Sequence, residues 1–279
     1  MHQERCQEAG VKQELDEKKL LHSNRMMELY QWTEGTVLKL FTAAFPSSLI
    51  DREIAGTRAA NAAGIPSPRL EDVITVAGRR GLVLERLHGR SMLTVLGSEP
   101  TRVAHYAVVF AELQSRIQGV HTADLPPQRE DLARRIARAG VVAHVKGDAL
   151  ATIEQLPDGD SLCHCDLHPD NVLLTDHEAC VIDWSFAACG APASDAARTA
   201  LLLRIANAPP GAFHVAWVER EARDRFYRAW LKRYRELQPV AADALWSWLL
   251  PVAVARLADD IAAERPRLLA LIDELRSRK

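Results

Sequence analysis

Short apolar runs bounded by glycine or polar turn residues, a pattern typical of β-strands, dominate the first 90 positions of the chain. Four of these runs predict strands, at residues 27–32, 36–41, 71–76 and 81–87. An amphipathic spacing predicts a helix over 15–22. A second helix is predicted over 49–63, capped at its start by Ser47 or Ser48 and ended by Gly64. The first part of the chain is therefore predicted to be a small β-sheet accompanied by helix.

Beyond residue 90 the apolar positions recur every three or four residues, which predicts helices. The clearest helix covers 101–118, and a second, over 129–154, contains the helix breakers Gly140 and Gly147. Aromatic residues also stand at four-residue steps, at Phe226, Trp230 and Tyr234. With strands early and helices late, the pattern predicts an α+β fold of two lobes, 1–88 and 89–279, with a cleft between them.

The exception to this division is a central stretch at 163–186, CHCDLHPDNVLLTDHEACVIDWSF. Its two apolar runs, 172–175 and 179–183, are joined by three polar residues, which predicts a β-hairpin. With His177 at the centre of the turn, the predicted antiparallel partners are Leu174 with Cys180, Leu173 with Val181, and Asn171 with Asp183.

That pairing brings an amide and a carboxylate together. Cross-strand partners have Cβ atoms about 5 Å apart, so Asn171 and Asp183 can hold one hard cation through their oxygens. Asp166 precedes Asn171 by five residues, in the loop that leads into the first strand. The pattern H-x-D-x-x-x-x-N, followed by an aspartate after the next strand, is typical of kinase-type phosphoryl transfer.

The stretch resembles the aminoglycoside phosphotransferase and choline kinase family, whose signature runs H-x-D-L-H-x-x-N and then I-D-W. The resemblance implies a protein-kinase-like fold, and it implies that Asp166 orients the substrate hydroxyl while Asn171 and Asp183 hold magnesium. Upstream, VLKLF and DREIAGTRAANAAGIPSP resemble the family's strand lysine and helix glutamate, here Lys39 and Glu53, with the lysine contacting the nucleotide phosphates.

The resemblance covers roughly residues 20–205 and extends to the connector between the lobes. There GLVLERLHG places the Glu85 carbonyl and the Leu87 amide where the adenine edge binds. Two other glutamates, Glu71 and Glu85, are alternatives to Glu53 as the partner of Lys39. In GAPASDAA the resemblance implies that Asp195 supports the catalytic loop. The sequence departs from the family pattern at Cys165, where relatives carry glycine, and in a glycine-free segment at 22–26.

The implied activity is transfer of the γ-phosphate of ATP or GTP, with Mg²⁺, to a hydroxyl of a small molecule. Only eleven residues separate Asp183 from Asp195, too few for the activation segment of a regulated protein kinase. Acceptor candidates are aminoglycosides, other antibiotics, amino alcohols and sugars. A polycationic acceptor needs carboxylates, for which Asp259, Asp260 and Glu264 are candidates. The arginines between 220 and 235 carry the opposite charge and leave the sign of the charge in the cleft open. A catalytically silent nucleotide-binding regulator is the alternative.

Composition and charge limit the partners and the cellular location that can be expected. The formal net charge of -2 argues against a general nucleic-acid binder. The charged N-terminus and the absence of a long apolar run predict a cytoplasmic protein without a membrane span, as a monomer or weak dimer. Five scattered cysteines predict free thiols. A zinc site at Cys163, His164, Cys165 and His168 is an alternative that lacks a second ligand pair at finger spacing.

Overall fold

The computed structural model describes residues 15, 18–205, 220–238 and 242–278. Its first part is a five-stranded antiparallel sheet in the order β1-β2-β3-β5-β4. The strands are β1 Leu20–Ser23, β2 Met27–Gln31, β3 Thr36–Phe41, β4 Leu70–Val76 and β5 Arg79–Glu85. All four predicted strands are therefore present. The sheet packs against helix α1, Ser47–Ala62, through a core that contains Phe41, Ile50, Ile54 and Leu82.

The predicted helix over 15–22 is correct at Leu15, which is helical, but wrong from Leu20 onward. Leu20–Ser23 is a strand, and Leu20 pairs with Tyr30 of β2 while Ser23 pairs with Glu28. Half of the Leu20 side chain is exposed, so burial does not select this strand. The strand forms because β2 offers a free backbone edge to pair with, and an apolar pattern in the sequence carries no information about such an edge.

Helix α1 begins earlier than predicted and without a serine cap. Its N-cap residue is Pro46, whose carbonyl accepts the amides of Leu49 and Ile50, and no side chain caps the helix. Ser47 already lies inside the first turn. The predicted end is correct, because Gly64 has a φ of +66° and its amide bonds to the carbonyl of Asn61.

The second part of the chain is mainly helical. Its helices are α2 Met92–Ser98, α3 Val103–Gln118, α4 Gln128–Arg138, α5 Ala143–Gln155, α6 Pro192–Ile205, α7 Arg220–Leu237, α8 Ala242–Ser247, α9 Leu249–Arg256 and α10 Arg265–Ser277. The predicted long helix over 129–154 is two helices, α4 and α5, separated at 139–142. No helix among the described residues has the length and apolar content needed to cross a bilayer.

Helices α3 and α7 form the centre of this helical part. Phe226, Trp230 and Tyr234 of α7 are fully buried, and the Phe226 ring meets the edge of Phe110 on α3. The four-residue aromatic spacing therefore marks the core of this part of the chain. Trp248 is buried as well, Trp246 is 36% exposed, and Trp217 lies outside the described residues.

Short strands complete the helical part and carry the central hairpin. β6 Gly89–Ser91, β8 Val172–Thr175 and β9 Ala179–Val181 form one small sheet, and β7 Ser161–Cys163 pairs with β10 Ala188–Gly190. The chain enters the helical part through β6. The domain boundary after residue 88 stays a prediction.

The hairpin exists, but its predicted register is wrong by one residue. Leu173 pairs with Cys180 and not with Val181, which is the partner of Val172. The cause is Thr175, whose Oγ1 accepts the amides of His177 and Glu178, at 3.3 and 3.1 Å. This side chain closes a tighter turn than one centred on His177.

Candidate active site

A buried lysine network joins the sheet to the helical part. Lys39 of β3 donates to Oε1 of Glu53 on α1 at 2.5 Å, and its Nζ lies 3.4 Å from Oδ1 of Asp183. Lys39 lies in the middle of an otherwise apolar strand, so its side chain has to meet carboxylates inside the protein. The alternatives to Glu53 are engaged elsewhere, since Glu71 and Glu85 both lie near Arg69.

Ser185 is a member of this network that sequence reasoning missed. Its Oγ lies 2.7 Å from Oε2 of Glu53 and 2.7 Å from Oδ1 of Asp183, so its hydroxyl donates to one of two carboxylates. Ser185 is buried. The only sequence signal was its position two residues after Asp183, which does not reveal a contact with α1.

The network favours ionised groups. Burial alone lowers the pKa of Lys39, but Asp183 and Glu53 outweigh burial and the pKa is raised. For Asp183, burial opposes ionisation, yet the Lys39 ammonium and the Ser185 hydroxyl leave its pKa lowered. Burial raises the pKa of Glu53 against the effect of Lys39. Because the ammonium lies 2.5 Å from Glu53, we assign the pair as charged at neutral pH.

The hairpin places Asn171 next to Asp183 despite the shift in register. The amide of Ile182 bonds to the carbonyl of Asn171 at 3.0 Å, which makes Ile182 its partner. Asp183 then has a φ of +64°, in the left-handed region, where its strand has ended. This turn of the backbone directs Asp183 to Lys39.

Asn171 and Asp183 offer the donor set that Mg²⁺ prefers. The Asn171 amide nitrogen donates to the Asp166 carbonyl at 3.0 Å, and this bond leaves its Oδ1 as an acceptor. The Asp183 side chain is 43% exposed, and only its Oδ1 contacts Lys39 and Ser185. One amide oxygen and one carboxylate oxygen are hard ligands of the kind found in magnesium sites completed by substrate phosphates.

Asp166 is held as a carboxylate by an arginine that the sequence did not reveal. Nη2 of Arg198, on α6, donates to Oδ1 of Asp166 at 3.0 Å, and His168 Nε2 lies 3.7 Å from Oδ2. Burial raises the pKa of Asp166, but Arg198 and other cations outweigh it and lower the pKa to about 2. The group is therefore a constant hydrogen-bond acceptor at neutral pH.

The loop that carries Asp166 is fixed by two further side chains. Asp195 accepts the Cys165 amide at 2.7 Å and the Gln118 side chain at 2.7 Å, a supporting position like the one implied for it. His164 is fully buried, and burial lowers its pKa. Its Nε2 donates to the Ile182 carbonyl and its Nδ1 accepts the Asp166 amide. The neutral imidazole therefore ties the loop to the hairpin.

Cys165 departs from the family's glycine at a strained position. Its φ is +60°, in the left-handed region that glycine adopts without penalty. The bond from its amide to Asp195 and the contact of its Sγ with Gln128 hold it there.

The Cys163 thiol and the His164 imidazole of the zinc alternative have separate partners. The Cys163 Sγ points to the Ala191 carbonyl, whereas His164 binds the Ile182 carbonyl. Within the described ranges, no three side chains of His, Cys, Asp or Glu are grouped to hold a metal ion.

The connector residues lie between β5 of the sheet and β6 of the helical part. Glu85 is the last residue of β5, and Leu87 follows two positions later, before β6. The Arg86 amide bonds to the Gly35 carbonyl, which leaves the connector extended. Among the described residues, none accepts the Leu87 amide, so this donor is available to a ligand.

An antiparallel sheet with a buried lysine and glutamate, joined to a helical part that carries an aspartate loop and hairpin, defines the two-lobed, protein-kinase-like class. Sequence comparison then identifies the family. The chain belongs to the phosphotransferase enzyme family, whose sequence profile matches residues 21–242. A comparison with curated proteins found no match.

Solved structures share this fold at low identity. One is an aminoglycoside-3′-phosphotransferase of type VIII, 20% identical, covering 88% of this chain and 93% of that chain with a TM-score of 0.60. Another is APH(3″)-Id from Streptomyces rimosus ATCC10970 in complex with ADP and streptomycin, 17% identical, covering 88% and 97% with a TM-score of 0.54. A third, the GDP and kanamycin complex of APH(2″)-IIia, is 13% identical and covers 95% and 94% with a TM-score of 0.60.

Proposed function

We propose that the protein transfers the γ-phosphate of ATP or GTP to a hydroxyl of a small molecule. The observation that carries the proposal is the convergence of Lys39, Asp183 and the Asp166 loop at the junction of the sheet and the helical part. Family membership and the ADP and GDP complexes of proteins with the same fold support nucleotide use.

In the proposed mechanism Lys39 contacts the inner phosphates while Glu53 and Ser185 keep its ammonium in place. The Leu87 amide and the Glu85 carbonyl meet the adenine or guanine edge. Asn171 and Asp183 would hold Mg²⁺, which supplies charge neutralisation to the phosphates when bound.

Asp166 acts on the acceptor. Its carboxylate accepts a hydrogen bond from the substrate hydroxyl, aligns the oxygen for attack and receives the proton as the new P–O bond forms. With a pKa of about 2, this group is a weak base at the start of the reaction. Most of the rate therefore comes from positioning and charge neutralisation, as in other phosphoryl transfers.

The test separates binding from transfer. Titration calorimetry with ATP and GTP is combined with ADP or GDP release in the presence of aminoglycosides, amino alcohols, sugars and hydroxy acids. Asp166→Ala should bind nucleotide as the unmodified protein does, but its transfer rate should fall about 100-fold or more. Asp170→Ala, an exposed residue of the same loop, is the matched control and should retain full activity.

Two results would contradict the proposal. Full activity of Asp166→Ala would remove this residue from the reaction. Nucleotide binding without release of diphosphate for any acceptor would favour the silent regulator.

A further inference from the structure

A crevice beside the Asp166 loop lies among helices α4, α6 and α9. Its accessible volume is about 30 Å³, room for about two water-sized atoms such as the oxygens of one carboxylate. Its polar lining includes Arg135 of α4 together with Ser194 and Arg198 of α6, and Cys165 contributes from the loop itself. Because Arg198 also contacts Asp166, a molecule in this crevice adjoins the proposed base.

The carboxylates in and near this crevice are already neutralised. Asp131, which lines it, accepts bonds from Arg52 at 2.7 Å and from Arg134 at 3.2 Å. Asp259 accepts bonds from Arg135 at 2.5 Å, from Arg256 at 2.9 Å and from Arg198 at 3.4 Å. Glu264 accepts two bonds from Arg256, at 2.8 and 2.9 Å. A carboxylate surrounded by guanidinium groups has little attraction left for the ammonium groups of a polycation.

The arginines, in contrast, have unused donors. Arg135 and Arg198 each donate through Nη2 alone, and their Nε and Nη1 atoms have no acceptor among the described residues. The guanidinium fork matches the two oxygens of a carboxylate or phosphate. The face of Arg135 lies 5.5 Å from the Phe186 ring, which orients its plane.

The Ser194 hydroxyl supplies an independent signal. Its side chain is 1% exposed, and its Oγ has no hydrogen-bond partner in the part of the chain that the structure describes. Ser194 precedes Arg198 by one helical turn, so both lie on the same face of α6. A buried hydroxyl without a partner is unfavourable, and an acceptor oxygen in the crevice would relieve it.

We propose that the acceptor substrate is an anionic hydroxylated molecule whose carboxylate or phosphate binds in the crevice, to Arg135, Arg198 and Ser194. The inference rests on the proposed phosphotransferase function and names its substrate class. The anion lies beside the Asp166 loop, which leaves a hydroxyl of the same molecule within reach of the Asp166 carboxylate.

The experiment compares acceptors that differ in charge. Rates of ADP release are measured with D-glycerate against glycerol, D-gluconate against D-glucose, and glycerol phosphate, with choline and kanamycin as cations. At least one acid should raise the rate well above its neutral counterpart. Comparing the carboxylic acids with glycerol phosphate shows whether the crevice binds a carboxylate or a phosphate.

Variants then locate the anion. Ser194→Ala removes a hydroxyl without a partner, so it should fold normally and raise the KM of the preferred acid about tenfold. Arg135→Gln should raise that KM at least about thirtyfold. Arg138→Gln, three positions away on the same helix and exposed, is the matched control and should leave it unchanged.

Failure of this inference is distinguishable from failure of the proposed function. Turnover of cations or neutral molecules without turnover of acids overturns the anionic class and leaves the kinase in place. An unchanged KM for an acid in both Ser194→Ala and Arg135→Gln overturns the crevice as its site. If no acceptor is turned over, the anionic class falls, and the proposed function fails with it.

Discussion

Replacing Arg198 by glutamine is the most direct perturbation of the ion pair at the Asp166 loop. Arg198 is 9% exposed along its side chain and Asp166 19%, so solvent screens their 3.0 Å contact only in part. The fall of the Asp166 pKa from 3.8 to about 2 corresponds to about 2 kcal/mol in favour of the folded carboxylate. In Arg198→Gln the burial of Asp166 remains while its main cationic partner is lost.

We expect Arg198→Gln to lower the free energy of unfolding by about 3 kcal/mol at pH 7, since an arginine removed from a buried pair leaves the charge of its partner uncompensated. The pKa of Asp166 is lowered in the folded protein, so its contribution is present above about pH 4. That contribution is lost as pH falls through about 2, below which the carboxyl is protonated in both states. The difference between the variant and the unmodified protein should therefore shrink on acidification.

Urea unfolding followed by tryptophan fluorescence measures both effects. A double-mutant cycle with Asp166→Asn should give a coupling energy of about 2 kcal/mol at pH 7. Arg134→Gln, which breaks an exposed pair with Asp131, should change stability by less than about 0.5 kcal/mol. A coupling energy no larger than that of the control, or a difference that grows on acidification, would refute the account of this pair.

Two further substitutions test the network and its packing. Lys39→Met leaves the buried Glu53 and the half-exposed Asp183 without their cation and should weaken ATP binding at least about tenfold by calorimetry. In Gly56→Ala the new Cβ would lie 2.7 Å from Cβ of Ala187 and 2.9 Å from Cβ of Trp184, so thermal unfolding should show a loss of about 2 kcal/mol. Gly147→Ala, in a helix with nothing within 4 Å, should be neutral or stabilising.

Periodic patterns and local spacing were sufficient for much of the fold. The polar position in β3 singled out Lys39, the resemblance to the phosphotransferase family implied Glu53 as its partner, and the two lie 2.5 Å apart. The fold class is confirmed. These features depend on residues near one another in sequence, or on a strand that must hide a charge, and both leave a signal in the pattern.

The features that escaped prediction depend on side chains and backbone from distant segments. Arg198 follows Asp166 by 32 residues, and nothing in an isolated helix sequence shows which loop lies beneath it. The hairpin register depended on one hydroxyl, that of Thr175, whose bonds to the turn are invisible to an alternation pattern. The left-handed φ values of Cys165 and Asp183 are likewise imposed by tertiary contacts, since neither residue favours that region as glycine does.

Helix α6 connects the geometry of the Asp166 loop to the charge beside it. Asp195, near its start, accepts the Cys165 amide, and Arg198, one turn later, donates to the Asp166 carboxylate. The Asp195 carboxylate thus holds the backbone of the loop, and the Arg198 guanidinium holds the carboxylate of the proposed base. Because Arg198 also lines the crevice, a change of charge on this face of α6 alters both the proposed base and the molecule beside it. The proposed anion site and the electrostatics of Asp166 therefore share one residue, Arg198.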